Sequence, residues 1–206
     1  MTNLILLDYA SVLVFALTGA LAASRAQLDL VGFMFIANLT ALGGGTLRDV
    51  LLDRTPLWVA QPGFVAVASL AAAVVFFTAH LLESRYRALL WFDSLALAVA
   101  VPAGAGVAIS LGHPWLVTVI MGTLTGTFGG MMRDVVCNEV PLVLKKGELY
   151  VTAAFAGSAA TVLTATAAAD PLIVAAAGGL VTWALRAGSL AFGWSLPSYK
   201  SRPPRL

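Results

Sequence analysis

Two stretches of this chain set an arginine and an aspartate a few positions beyond paired glycines. One reads Gly43-Gly44-Gly45-Thr46-Leu47-Arg48-Asp49, the other Gly129-Gly130-Met131-Met132-Arg133-Asp134. Both sit at the ends of long apolar runs. A charge held near the membrane interior is costly, so it usually faces the protein bundle and finds a partner. Neighbours at i and i+1 point to different sides of a helix. The expected pairs are therefore crossed, Arg48 with Asp134 and Arg133 with Asp49. The simpler reading is that both arginines snorkel to an interface at a helix end. Glycine weakens a helix by about 1 kcal/mol relative to alanine. Bends are thus expected at Gly43, Gly44 and Gly45 and at Gly129 and Gly130. Backbone groups freed there need partners, and water in a cavity can supply them. A path built this way would offer carbonyls to a cation, with the hydroxyls of Thr40, Thr46, Thr125 and Thr127 as further lining. Close helix packing is the competing reason for glycine in a membrane.

The elements that carry these motifs follow from composition. The chain has 206 residues, of which 60% are hydrophobic and 11% charged, and its mean hydropathy is +0.92. A water-exposed domain carries roughly 25% charged residues, so lipid is the expected solvent. Continuous rather than alternating apolar runs select helices over a barrel. Seven spans are expected, near 4–24, 30–53, 62–82, 89–111, 115–137, 149–168 and 172–193. The chain reads as one all-α membrane domain with a short tail at 198–206. The opening run has no basic residue before it and contains Asp8, so it is expected to be a retained helix, not a cleaved signal.

The sequence repeats itself. Shifted by 85 residues, Asp8–Leu57 matches Asp93–Leu142 at 14 of 50 positions without a gap. Asp8 meets Asp93, Gly19-Ala20 meets Gly104-Ala105, and Leu39-Thr40 meets Leu124-Thr125. Gly44-Gly45, Arg48-Asp49-Val50 and Pro56-Leu57 recur in the same way. Each repeat, about 4–82 and 89–168, contains three spans. An odd number forces the second copy to enter from the opposite face, and the seventh helix falls outside the duplication. Inverted repeats of this kind are common in transport proteins, whose sites lie between the repeats on discontinuous helices. Orientation comes from Lys and Arg. Arg25, Arg85, Arg87, Arg133, Lys145, Lys146, Arg186, Lys200, Arg202 and Arg205 fall on one side, and only Arg48 and Arg54 on the other. The N-terminus is expected outside and the C-terminus in the cytoplasm.

Other features exclude more than they assign. Asp8 and Asp93 are read as carboxylates favouring a helix N-terminus. Arg186 either pairs with an acidic residue of the bundle or marks a helix end. The single cysteine, Cys137, permits no intrachain disulfide. His80 and His113 lack ligand spacing, so no metal or other cofactor is expected. The sequence has no nucleophile elbow, phosphate loop or His-Glu-x-x-His motif, and no enzyme is read from it. The net charge of +2 gives no reason to expect nucleic acid.

With these motifs in view, the chain resembles bacterial members of the trimeric intracellular cation (TRIC) channel family. The likeness rests on Asp8, Phe15-Ala16-Leu17-Thr18-Gly19-Ala20 and Asp29-Leu30-Val31-Gly32. It also rests on the two glycine-arginine-aspartate stretches and on Gly147-Glu148-Leu149-Tyr150. The resemblance implies a homotrimer in a bacterial inner membrane, with one pore in each protomer lined by kinked second and fifth helices. It further implies passage of monovalent cations, chiefly potassium. Phe128 stands where the second helix has Gly43, so a milder bend or a narrower path is expected in the fifth. Two arginines and two aspartates sum to zero, so those four charges choose no sign of ion. A secondary transporter for a small solute such as an amino acid fits the same repeats. Seven spans require tags on the two chain ends to be reached from opposite faces of the membrane; labelling of both from one face would remove the odd count.

Overall fold

A computed structural model describes residues 2–82, 84–167 and 170–197. The tail expected at 198–206 lies outside the described residues. Seven long helices follow in order: α1 (Thr2–Arg25), α2 (Leu30–Leu51), α3 (Gly63–Thr78), α4 (Arg85–Ser110), α5 (Trp115–Val136), α6 (Val151–Ala167) and α7 (Pro171–Phe192). No strand occurs among the described residues. One-turn helices at Leu57–Ala60, Ala79–Leu81 and Leu142–Leu144 fill connections. Six helices are long and apolar enough to cross a membrane, α3 being extended to Leu81 by its 3-10 turn. The remaining one, α6, has 17 residues, or roughly 25 Å at 1.5 Å per residue, the short limit for a span.

Local chemistry sets the ends. Asp29 caps α2 by accepting a 2.7 Å bond from the Gly32 amide, and Ser84 caps α4 through the Arg87 amide at 3.3 Å. Asp170 accepts from Leu172 N at 2.8 Å, with Pro171 at the first position of α7, where a missing N–H costs nothing. Gly193 closes that helix in the left-handed conformation, at φ 71°.

The repeat persists to the level of single turns. Asp53 and Asn138, 85 residues apart, both have positive φ (52° and 56°) just after α2 and α5. The amides that follow them close the same bond, Arg54 N to Asp49 O and Glu139 N to Asp134 O, each at 2.8 Å. Gln27 and Gly112 are likewise matched after α1 and α4, at φ 55° and 75°. Asparagine, aspartate and glycine tolerate this region best, because a short polar side chain or none relieves the clash.

Helices related by the repeat pack on one another: α1 lies against α4, and α2 against α5. The α7 helix covers α4 and α6. Alanines on the α1 and α4 helices are fully buried, among them Ala16, Ala20 and Ala23 of α1 and Ala96, Ala100 and Ala108 of α4. Small residues of this kind let backbones approach where no hydrophobic effect drives helices together.

The glycines of α2 and α5 sit where the two helices meet. Both α2 and α5 are continuous α-helices through Gly43–Gly45 and Gly129–Gly130, not discontinuous ones. Gly44 abuts the Thr125 carbonyl oxygen, and Gly129 abuts the Thr40 carbonyl oxygen. The missing side chains are used to bring two backbones together. Gly19 against Thr40 and Ala37, and Gly104 against Thr125 and Met121, repeat the device between helices of one repeat.

Alanine at Gly44 or Gly129 would drive its Cβ into a rigid carbonyl, where overpacking costs about 1–3 kcal/mol. At Gly43 the obstacle is the Met132 sulfur, the far end of a flexible side chain. Thermal unfolding in detergent should therefore show G44A and G129A destabilised and G43A near wild type. Equal midpoints for all three would mean that this crossing does not exist.

A candidate functional site of paired buried ion clusters

The arginines do not pair across the repeats. Arg48 Nη1 donates to Asp8 Oδ1 at 2.9 Å, and its Nε donates to Asp49 Oδ1 at 2.9 Å. Arg133 makes the same two bonds to Asp93 and Asp134, at 2.7 and 2.8 Å. In both clusters the second aspartate uses its other oxygen to accept a backbone amide eight residues on. These are Leu57 N and Leu142 N, each at 2.9 Å. The whole constellation is thus built twice from equivalent residues. Arg48 and Arg133 are buried, at 1% and 0% exposed.

The expected crossed pairs, Arg48 with Asp134 and Arg133 with Asp49, are corrected by the register of the helix crossing. Gly44 faces Thr125 and Thr40 faces Gly129, so α2 and α5 run antiparallel. In that register Arg48 lies level with Met121, thirteen residues before Asp134. At 1.5 Å per residue the gap is about 20 Å, far beyond an ion pair. Pairing with the adjacent aspartate succeeds because arginine's Nε lies part-way along a long side chain that can fold back. The last turn of each helix leaves room for this.

Comparison with known proteins agrees with this doubled architecture. A family model described as "Glycine transporter" matches twice, at residues 5–80 and 90–166, once per repeat. A UPF0126 membrane protein of Vibrio cholerae is 33% identical over 202 residues, spanning 95% of this chain and 82% of its own. The UPF0126 inner membrane protein YadS of Escherichia coli is 33% identical over 199 residues, covering 94% of each chain. Among solved structures, the TRIC trimeric intracellular cation channel orthologue of Rhodobacter sphaeroides superposes with a TM-score of 0.90 at 40% identity. That match covers 94% of this chain and all of the other. A second TRIC cation channel structure matches at 30% identity and a TM-score of 0.85, over 97% and 98% of the two chains. The chain belongs to the TRIC family.

Within this TRIC fold the expected site residues separate into groups. Thr40 and Thr125 are buried at the α2–α5 crossing, each hydroxyl donating to the carbonyl four residues back, at 2.6 and 2.7 Å. Thr127 does the same toward Thr123 at 2.8 Å. Thr46 faces elsewhere: it donates to Leu42 O and accepts from Trp58 Nε1 at 3.1 Å. With Gly43, Phe128 and Met132 it lines an apolar groove of about 540 Å³ along the outer flank of α2. Gly45 lies against Leu57, and Gly130 lies against Tyr150.

Sequence reasoning missed the role of Asp8 and Asp93. A carboxylate favouring a helix N-terminus does not describe Asp93, which is 0% exposed and well inside α4. The signal was their recurrence in step with the arginines. Arg186 is settled in favour of pairing: its Nη2 meets Glu148 Oε2 at 2.7 Å. Its guanidinium also stands 5.1 Å from the centre of the Tyr150 ring.

Removing one member of a buried ion pair costs about 3–5 kcal/mol, because the partner stays charged and unpaired. R133Q should therefore destabilise the TRIC protein severely. In a double-mutant cycle, Asp93 and Arg133 should couple by about 0.5–3 kcal/mol, and Asp49 and Arg133 by nearly nothing. Strong coupling between Asp49 and Arg133 would restore the crossed arrangement.

Proposed function

We propose that this protein is a passive channel for monovalent cations, chiefly potassium, with one pore in each protomer between the inverted repeats. The observation that carries this reading is the surplus of carboxylate in each buried cluster. Asp8, Arg48 and Asp49 sum to −1, as do Asp93, Arg133 and Asp134. Once Asp8 and Asp93 are counted, the buried charge supports a cation. The half-exposed Arg54 reaches Asp49 at 3.8 Å and offsets part of the excess in the first cluster, whereas the second cluster has no such neighbour among the described residues. The TRIC cation channels that the fold matches support the same reading. In this proposal the path runs beside the α2–α5 crossing, past Gly44, Gly45, Gly129 and Gly130 and the hydroxyls of Thr40, Thr125 and Thr127. The crossing parts to admit ions.

The same reading makes the whole chain one membrane domain that assembles as a homotrimer in a bacterial inner membrane, with the N-terminus outside and the C-terminus in the cytoplasm. The excess of Lys and Arg on one side supports that orientation. Trimeric assembly is in the name of the orthologue from Rhodobacter sphaeroides, and the inner membrane in that of YadS.

The family model's own description favours a second reading, a carrier of a small amino acid. Planar bilayer recording separates the two. A channel gives unitary currents, and under a KCl gradient their reversal should lie toward the potassium potential. D8N, which removes the partly exposed carboxylate of the first cluster, should move the reversal potential toward zero. Saturable counterflow without unitary currents would replace the channel by the carrier.

A further inference from the structure

The two clusters have matching cores but unequal surroundings. The Asp8 side chain is 15% exposed, whereas that of Asp93 is 0% exposed. What covers Asp93 is Tyr150, itself 1% exposed. Its hydroxyl stands 2.8 Å from the point where a Gly130 Cβ would lie, with Asp93 Oδ1 and Arg133 Nη2 at 3.4 and 3.7 Å from that point. Gly130 leaves the space that this hydroxyl occupies.

Tyr150 is held from outside the duplication. It ends the segment Gly147-Glu148-Leu149-Tyr150 that leads into α6. That segment is fastened to α7 at successive residues: Arg186 pairs with Glu148 at 2.7 Å, and Ser189 Oγ accepts from Leu149 N at 3.0 Å. The Arg186 guanidinium lies over the Tyr150 ring, a cation–π contact that fixes the ring's position. Glu148 is 22% exposed on its side chain, so the fastening reaches the protein surface.

The covered arrangement leaves hydrogen bonds unmade. Tyr150 Oη, Asp93 Oδ2, and Nε and Nη1 of Arg186 are buried without an aligned partner among the described residues. Unsatisfied buried donors and acceptors raise the free energy of the state that contains them. Water entering beside the Tyr150 hydroxyl would offer partners to that hydroxyl and to Asp93. The covered arrangement is thus opposed by missing hydrogen bonds and retained by the Arg186 fastening.

We propose that Tyr150 is a plug that closes the path at the second cluster, and that Glu148 and Arg186 are positioning residues that hold it shut. This rests on the channel reading above. Release of the Glu148–Arg186 pair lets Tyr150 withdraw from Asp93 and hydrates the cluster, while Asp8 in the first cluster is already partly exposed. The test is single-channel recording of wild type, Y150A, E148Q and R186Q, with size-exclusion profiles as a check on folding. Open probability should rise several-fold in Y150A and E148Q. In E148Q the unitary conductance should stay unchanged, because the residues that line the open path are intact. The double variant E148Q/R186Q should gain no more than the larger single effect. E148Q removes a partly exposed carboxylate and serves if Y150A does not fold. Unchanged open probability in folded Y150A or E148Q overturns the plug while leaving the channel standing. A wild-type protein without unitary currents removes the channel reading itself.

Discussion

A guanidinium cannot be left alone in the interior of a membrane protein, and the arrangement of this molecule follows from that. Arg48 and Arg133 are buried almost completely, so each must be matched by carboxylates that are themselves fixed. The match is met within one repeat: an aspartate from the first helix of the repeat, another from the adjacent position on the same helix, and an amide eight residues on. Each oxygen then has a stated task. One oxygen of Asp49 holds Arg48 Nε and the other holds Leu57 N. The chain leaving α2 is thereby turned back toward the bundle at Pro56, and the chain leaving α5 at Pro141 in the same way. A cluster that pairs a charge also sets where the backbone goes, so loss of one aspartate would disturb both.

Packing and charge divide the helix between them. In α2 and α5 the glycines four residues before each arginine bring the two helices into backbone contact. The arginines are carried to opposite ends of that contact. Antiparallel crossing therefore separates like charges by most of the membrane's thickness while keeping the neutral, closely packed part at the centre. The hydroxyls there are turned to their own helix: Thr40 and Thr125 satisfy carbonyls four residues back. Bonds of this kind use the hydroxyl proton and leave oxygen lone pairs free, which is the polarity a cation needs.

Sequence alone carried the architecture well, because it depends on signals that survive in a single chain. Apolar run length gave the helices within a few residues, and the 85-residue shift gave the internal duplication. The shift also held a further piece of information that helix-face geometry obscured. Asp8 and Arg48 recur together as Asp93 and Arg133, so a contact within one copy is available to both. A crossed contact between copies demands an extra coincidence. Neighbours on a helix point apart at Cβ, but arginine is long enough for its Nε to return to the adjacent aspartate, as in Arg48–Asp49 and Arg133–Asp134. The glycines' second use, bringing two backbones together, depends on which helix lies opposite, and no single stretch of sequence states that. The Glu148–Arg186 pair was legible only as an alternative, since nothing in the sequence says which acidic residue lies nearest.

The difference between the two halves is as informative as their likeness. Duplication supplies two equal clusters, and equal clusters at opposite faces would make a path symmetric in its energetics. The seventh helix breaks this equality. It lies outside the repeat, packs on α4 and α6, and inserts Arg186 and Ser189 next to the second cluster alone. One carboxylate, Asp93, is thereby fully covered while its counterpart, Asp8, stays in partial contact with the surroundings. Asp93 lies beneath an aromatic ring that a guanidinium covers in turn. An unpaired helix added to an inverted repeat is thus a direct way to give a two-fold structure a direction, and here its polar residues stand where that direction would be felt.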